Sequence, residues 1–152
     1  MNSKARQLAD KFAKINVRES CLKALNDPLI QAQMVDMNQA NLYDKGILAD
    51  GNPTGEYSGY TKNQKVSLGD SRQTPGRIDH ITLNDTGEFY ASMKVVDKGS
   101  AGVVISGDTD KPSGDLGVEF GAVVGITADD KAYLVPAIRE LIQADIKAKI
   151  SA

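Results

Sequence analysis

The chain has 152 residues, 41% hydrophobic and 25% charged, with a formal net charge of −2; that fits one domain able to bury roughly 70% of its extended-chain surface without a disulfide or a structural metal. Eighteen basic against twenty acidic side chains argue against a dedicated nucleic-acid binder, which shows a basic stripe; no sequence-specific nucleic acid is expected as a partner. A single cysteine rules out an intrachain disulfide framework and suits a reducing compartment, while a polar start and the lack of any long apolar run predict a soluble, cytoplasmically made chain with no membrane partner.

With no Trp and three Phe, the core must come from Ile, Leu, Val, Ala and Met. Ser3 is placed to cap a first helix whose stripe is Leu8, Phe12 and Ile15. Asn16 with Glu19 marks a second start, leading into Cys21, Leu22 and Leu25; Cys21 there reads as a small apolar side chain. Asp27-Pro28 is a stronger start. Asp caps, and Pro at the first helical position loses only an N–H that had no partner. Ile30, Met34, Met37 and Asn41, with Leu42 beside it, form one stripe, and Gly46 supplies a cheap left-handed stop. The spacing predicts a long helix over 27–45.

Glycine and proline at 46, 51, 53, 55, 59, 69, 75 and 76 punctuate a polar stretch, predicting an extended arm or a loop ordered by partners over 46–80, whose tyrosines either anchor a contact surface or pack back on their own domain. Residues 81–126 predict a small β-sheet. Ile81-Thr82-Leu83 is short and β-prone, and Asp85-Thr86-Gly87 is a turn. Ala91–Val96 alternates, Asp97–Ser100 turns, and Val103–Ile105 returns as a hairpin partner. Leu116–Ile126 holds enough apolar residues for one more strand. A C-terminal helix over 127–150 opens with a Thr127/Asp130 capping box and continues with Leu134, Ile138, Leu141, Ile142 and Ile146. Pro136 inside it predicts a kink or a late start. The expected whole is a single α+β domain, 1–152: N-terminal helices, a Gly-rich arm, an antiparallel hairpin or small sheet, and a C-terminal helix packed on the sheet.

The chemistry-bearing residues do not assemble into a catalytic pattern. His80 is the lone histidine, and its neighbour Asp79 would point to the opposite face of a strand, so no orienting acid is placed for a pair with Ser106 or Cys21. Asp108-Thr109-Asp110 lacks the remaining positions of a calcium loop, and Asp129-Asp130 suits a helix N-terminus. Asp85-Thr86-Gly87 resembles the nucleophile tripeptide of aspartic proteases, which need two carboxylates sharing a proton; the helical ends of this chain do not suit that body plan. Gly117, Gly121 and Gly125 match neither the P-loop nor the dinucleotide spacing. No catalytic residue, metal ligand or cofactor is expected.

Two segments taken together point elsewhere. The run Asp85-Thr86-Gly87-Glu88-Phe89-Tyr90-Ala91-Ser92-Met93 precedes the Val103–Ile105 strand, and Leu116-Gly117-Val118-Glu119-Phe120-Gly121 precedes Val124-Gly125-Ile126-Thr127-Ala128-Asp129-Asp130 and the last helix. This order resembles the tail-completion, or virion-morphogenesis, proteins of tailed bacteriophages. The upstream run Leu42–Ile47 with Asp50-Gly51 and Gly55-Glu56-Tyr57-Ser58 resembles phage proteins of the same broad type. The chain departs from that pattern at Gly121–Gly125, which has neither Pro nor Arg.

The resemblance implies a structural virion protein of the head–tail neck or tail end, assembled in the host bacterial cytoplasm. It would form homo-oligomers, six- or twelve-fold rings among them, and contact portal, neck or tail proteins. Tyr43, Tyr57, Tyr60, Phe89, Met93 and Phe120 are the candidate assembly-interface residues. The alternatives are a monomeric protein-binding adaptor and, third, a small hydrolase.

Overall fold

A computed structural model describes residues 3–152. Among them the chain is α+β, with seven α-helices and two small antiparallel ladders. Helices α1 (Ser3–Ala13), α2 (Val17–Leu25) and α3 (Pro28–Ala40) come first. Their boundaries follow the side chains that cap them. The Asn16 side chain accepts the Glu19 N–H at 3.2 Å, and Asp27 accepts from Leu29 N at 2.9 Å with Pro28 just inside the helix.

A single π-helical turn, Asn41–Lys45, extends α3 and ends at Gly46 with φ +64. Glycine is needed there twice over: the backbone is left-handed, and a Cβ would stand 2.5 Å from the His80 ring. The wider turn brings Asn41, Leu42 and Tyr43 all into the interior.

The 46–80 segment is not an extended arm. It holds α4 (Gly59–Leu68), capped by the Ser58 hydroxyl, and folds back on the domain. Backbone bonds from Gly76 N to Lys65 O, Ile81 N to Gly55 O and Ser71 N to Asp85 O close it down. Its glycines and prolines serve tight turns, so the sparse periodicity reflects turn chemistry rather than an open chain.

The 81–126 region contains far less strand than its composition predicts. Strands β1 (Lys94–Asp97) and β2 (Val103–Ser106) form the expected hairpin, with Val95 opposite Ile105. A two-residue ladder, β3 (Asp110–Lys111) with β4 (Gly114–Asp115), is separate. Two short helices replace the other strands: α5 (Glu88–Ser92), entered through left-handed Gly87, and α6 (Leu116–Phe120), capped by Asp115 accepting from Val118 N at 2.9 Å. At Ile81–Leu83 there is no strand either, because Leu83 takes φ +54 and its neighbours' polar groups bond to tyrosines instead of a ladder.

Helix α7 (Ala128–Ser151) opens with the predicted capping box, Thr127 and Asp130 bonding reciprocally. It runs on through Pro136 as one helix of 24 residues, about 36 Å long. Leu134, Ile138 and Leu141 pack with Ile30 and Met34 of α3 and Val95, Val103 and Ile105 of the hairpin, so the C-terminal helix does cover the sheet. The farther half of α7 lies along α2. There the Asp145 carboxylate accepts from Ser20 Oγ at 2.7 Å and Lys23 Nζ at 2.6 Å, and pairs with Lys149 Nζ at 2.9 Å. A second apolar cluster joins Leu42, Tyr43, Leu48, Phe89, Tyr90, Met93, Leu116 and Val123.

Between the clusters, buried Asn38 bonds Val123 O and Gly125 N, holding the loop before α7 against α3. Asn41 donates to Asp130 and so links the end of α3 to the capping box of α7.

Pro136 is exposed and leaves the carbonyl four residues earlier without its helical donor. Proline in a helix interior costs about 3 kcal/mol relative to alanine, while the stiffer unfolded chain returns up to about 1 kcal/mol. The Pro136→Ala chain is therefore expected to gain roughly 2 kcal/mol in urea unfolding, with no change in far-ultraviolet circular dichroism.

Candidate functional site

The structure separates the six candidate interface residues into two groups. Tyr43, Phe89 and Met93 are buried in the core of their own chain, where Phe89 and Tyr90 meet edge to face at 5.9 Å; they are not contact-surface residues. Phe120 is half-buried against the same cluster. Tyr57 is half-buried too, because its hydroxyl is shared with Thr82 Oγ1 and Thr82 N, both at 2.9 Å. Tyr60 alone of the six stands in solvent, 74% exposed, on α4. Of these aromatic residues all but Tyr60 thus pack inward at least in part, since a chain short of large apolar side chains uses those it has in its core.

The buried tyrosines mark a polar hub that residue types did not announce. The Asp70 side chain is fully enclosed and accepts the Tyr43 hydroxyl at 3.2 Å and the backbone N–H groups of Arg72, Gln73 and Arg77 at 2.9, 3.1 and 3.3 Å. Burial pushes the Asp70 carboxyl up, but these donors and the Lys65 charge outweigh it and hold it below the usual range. The Arg72 guanidinium lies over the Tyr43 and Tyr90 rings at 4.5 and 5.2 Å, and Arg77 donates to the carbonyls of Tyr43 and Asp44. His80 Nε2 meets Tyr43 O at 2.9 Å.

Burial pushes the phenols of both Tyr43 and Tyr90 above the ordinary value; for Tyr43 the Asp70 charge adds to this. In the hub the polar atoms of Asp70, Tyr43 and His80 turn toward neighbouring protein groups, and the hub fastens 59–84 to the π turn of α3. The Asp70-Ser-Arg-Gln run, an aspartate with free N–H groups two and three residues on, was its one sequence signal.

Asp85 lies exposed on a loop, and Asp79 is the side-chain neighbour of His80, at 3.1 Å. Cys21 is half-buried on α2. Among the described residues no three His, Cys, Asp or Glu side chains stand together as a metal site would require, and no helix is long and apolar enough to cross a membrane.

An open surface feature is found on the other side of the hairpin. A groove of about 730 Å³ runs between β2 and the first half of α7, floored by Val103, Ile105, Leu134 and Ile138 and edged by Val104 and Val135. Val104 and Val135 are 43% and 44% exposed, unusual for valines flanking a packed cluster. Only Asp50 and Lys131 bring charge to its walls. Strand β2 pairs with β1 on one side and, among the described residues, with no strand on the other. The groove therefore offers apolar surface alongside a row of unpaired backbone groups, the two features that protein ligands use. Its sequence signal was Val135 beside Leu134, an apolar residue off the core-facing stripe.

A second apolar face belongs to α1. Of the predicted stripe, Leu8 and Phe12 lie on the helix and are 46% and 53% exposed, while Ile15 falls beyond its end at Ala13 and is half-buried. No family model, curated protein or solved structure matches the chain.

Three carboxylates fasten long-range contacts and titrate low. At Asp130 burial pushes the carboxyl up, and the hydrogen bonds from Asn41 and Thr127 more than offset it; at Asp145 the Lys23, Ser20 and Lys149 donors dominate. With Asp70, each has a folded-state value below its unfolded value of about 4, so its contribution is complete above that pH and declines as the pH falls through the folded values. Urea midpoints are expected to stay level from neutrality to about pH 4 and then to drop. In the Asp145→Asn chain the neutral-pH midpoint should be lower and the acid drop shallower.

Proposed function

We propose that this protein is a structural subunit of a tailed-bacteriophage virion. It acts at the head–tail neck or the tail end by assembling with copies of itself and with neighbouring portal, neck or tail proteins. The observation that supports assembly most strongly is the amount of surface left open. The chain exposes 9487 Å², where a compact 16.2 kDa monomer exposes about 7,500 Å². The difference, roughly 2,000 Å², is of the order that two standard interfaces take from one subunit. The extra area includes apolar surface, since the groove beside β2 and the stripe of α1 are both uncovered.

The phage assignment rests on the order of the residue runs from Asp85 to Met93 and from Leu116 to Asp130. A subunit with two different sticky surfaces forms rings when the rotation between neighbours closes, which suits a circular joint.

Light scattering on the purified full chain is expected to give a mass several times 16.2 kDa, and negative-stain images should show rings. Antibody labelling should place the protein at the neck or tail end of intact particles. A chain that stays monomeric alone and with virion proteins would overturn the reading, and one that bound a single non-virion protein as a monomer would favour an adaptor.

A further inference from the structure

We infer that α1 of one copy docks into the groove between β2 and α7 of the next, so that subunits join head to tail. This deepens the assembly reading and rests on it. The first argument is placement. Helix α1 is pinned to the far end of α7, where Lys11 Nζ donates to Ile150 O at 3.0 Å. The groove lies near the start of α7, at Leu134, Val135 and Ile138. Fifteen residues of helix separate Val135 from Ile150, about 22 Å. The link from α1 to α2 is only residues 14–16, and α2 is itself fastened to α7 through Asp145. As the chain is folded, the helix lies at the other end of α7 from the groove of its own chain, so in this arrangement the two apolar faces meet only between copies.

The second argument is fit. Leu8 and Phe12 are one helical turn apart and point to the same side, and an amphipathic helix laid in an apolar groove uses anchors at this spacing. The groove presents valine, leucine and isoleucine with one carboxylate, Asp50, and one ammonium, Lys131. The third is charge. Lys4, Arg6, Lys11 and Lys14 against Asp10 give the first fourteen residues +3; the whole chain carries −2, so the remainder carries −5. A basic helix entering an acidic body is attracted before contact and is oriented by that field. Because knob and groove are different surfaces at opposite ends of one helix, the contact is heterologous and leaves a free knob and a free groove at the ends of any open chain.

Two variants test this in the full-length protein. One carries Leu8→Asp with Phe12→Asp, the other Val104→Asp with Val135→Asp; all four positions are exposed, and circular dichroism and urea unfolding check each fold. In light scattering the wild type is expected to assemble and each variant alone to run at 16.2 kDa. An equal mixture of the two variants should give a dimer of one copy each, because the intact α1 of one enters the intact groove of the other.

Wild-type assembly that persists in the α1 variant overturns the docking while leaving self-assembly standing. Loss of assembly in the groove variant only would point to a strand pairing with β2 and overturns it equally, as does a mixture that stays monomeric. A pure wild-type chain that stays monomeric overturns the docking, and the parent reading falls with it only if virion proteins also fail to recruit the chain, which separates the two failures.

Discussion

Large apolar side chains are scarce in this protein, and its long, glycine-rich segments must still be held down. Buried carboxylates do that work. Asp70 gathers a tyrosine hydroxyl and three backbone N–H groups, Asp130 ties the end of α3 to the start of α7, and Asp145 clamps α2 to the far half of α7. A carboxylate enclosed without donors would be costly, but one given several short charge-assisted bonds is stable and keeps its charge. Each of the three fixes one long-range contact between elements, and the two apolar clusters fill the space between them.

The same scarcity explains what is left outside. Tyr43, Phe89 and Tyr90 are drawn into the core and Tyr57 and Phe120 half into it, while Tyr60, Tyr133 and Phe12 stay exposed. What remains open includes Val104 and Val135 at the groove and Leu8 and Phe12 on α1, along with Leu29, Leu68, Val118 and Tyr133 elsewhere on the surface. A lone subunit keeps these in water at a cost proportional to their area. Pairing the groove with the α1 face between copies, as proposed, would remove that part of the cost.

Local chemistry was legible wherever a side chain acts on its own backbone. Asn16, Asp27 and the Thr127/Asp130 box all begin helices where they stand in the sequence, and Gly46 ends one. The hairpin was also legible, because alternation on both sides of Asp97–Ser100 leaves one register that buries Ile105. The groove left only Val135 as a trace, since its walls come from residues between Leu25 and Ile138 whose apolar character read as core. The hub left only the local turn at Asp70: nothing near it in the chain names Tyr43 as its partner.

The sequence by itself determined where α2, α3 and α7 begin, the hairpin turn and the α+β class, because capping, turn geometry and side-chain alternation are settled within a few residues. The tertiary structure decided the rest. It turned the 46–80 segment into a folded-back helix and loop, since Arg72 and Arg77 find their partners in Tyr43, Asp44 and Tyr90, far away in the chain. It also moved Phe89 and Met93 from candidate surface to core and opened a groove beside β2. Which apolar residue is covered depends on what packs over it from elsewhere in the chain, and no local pattern holds that information.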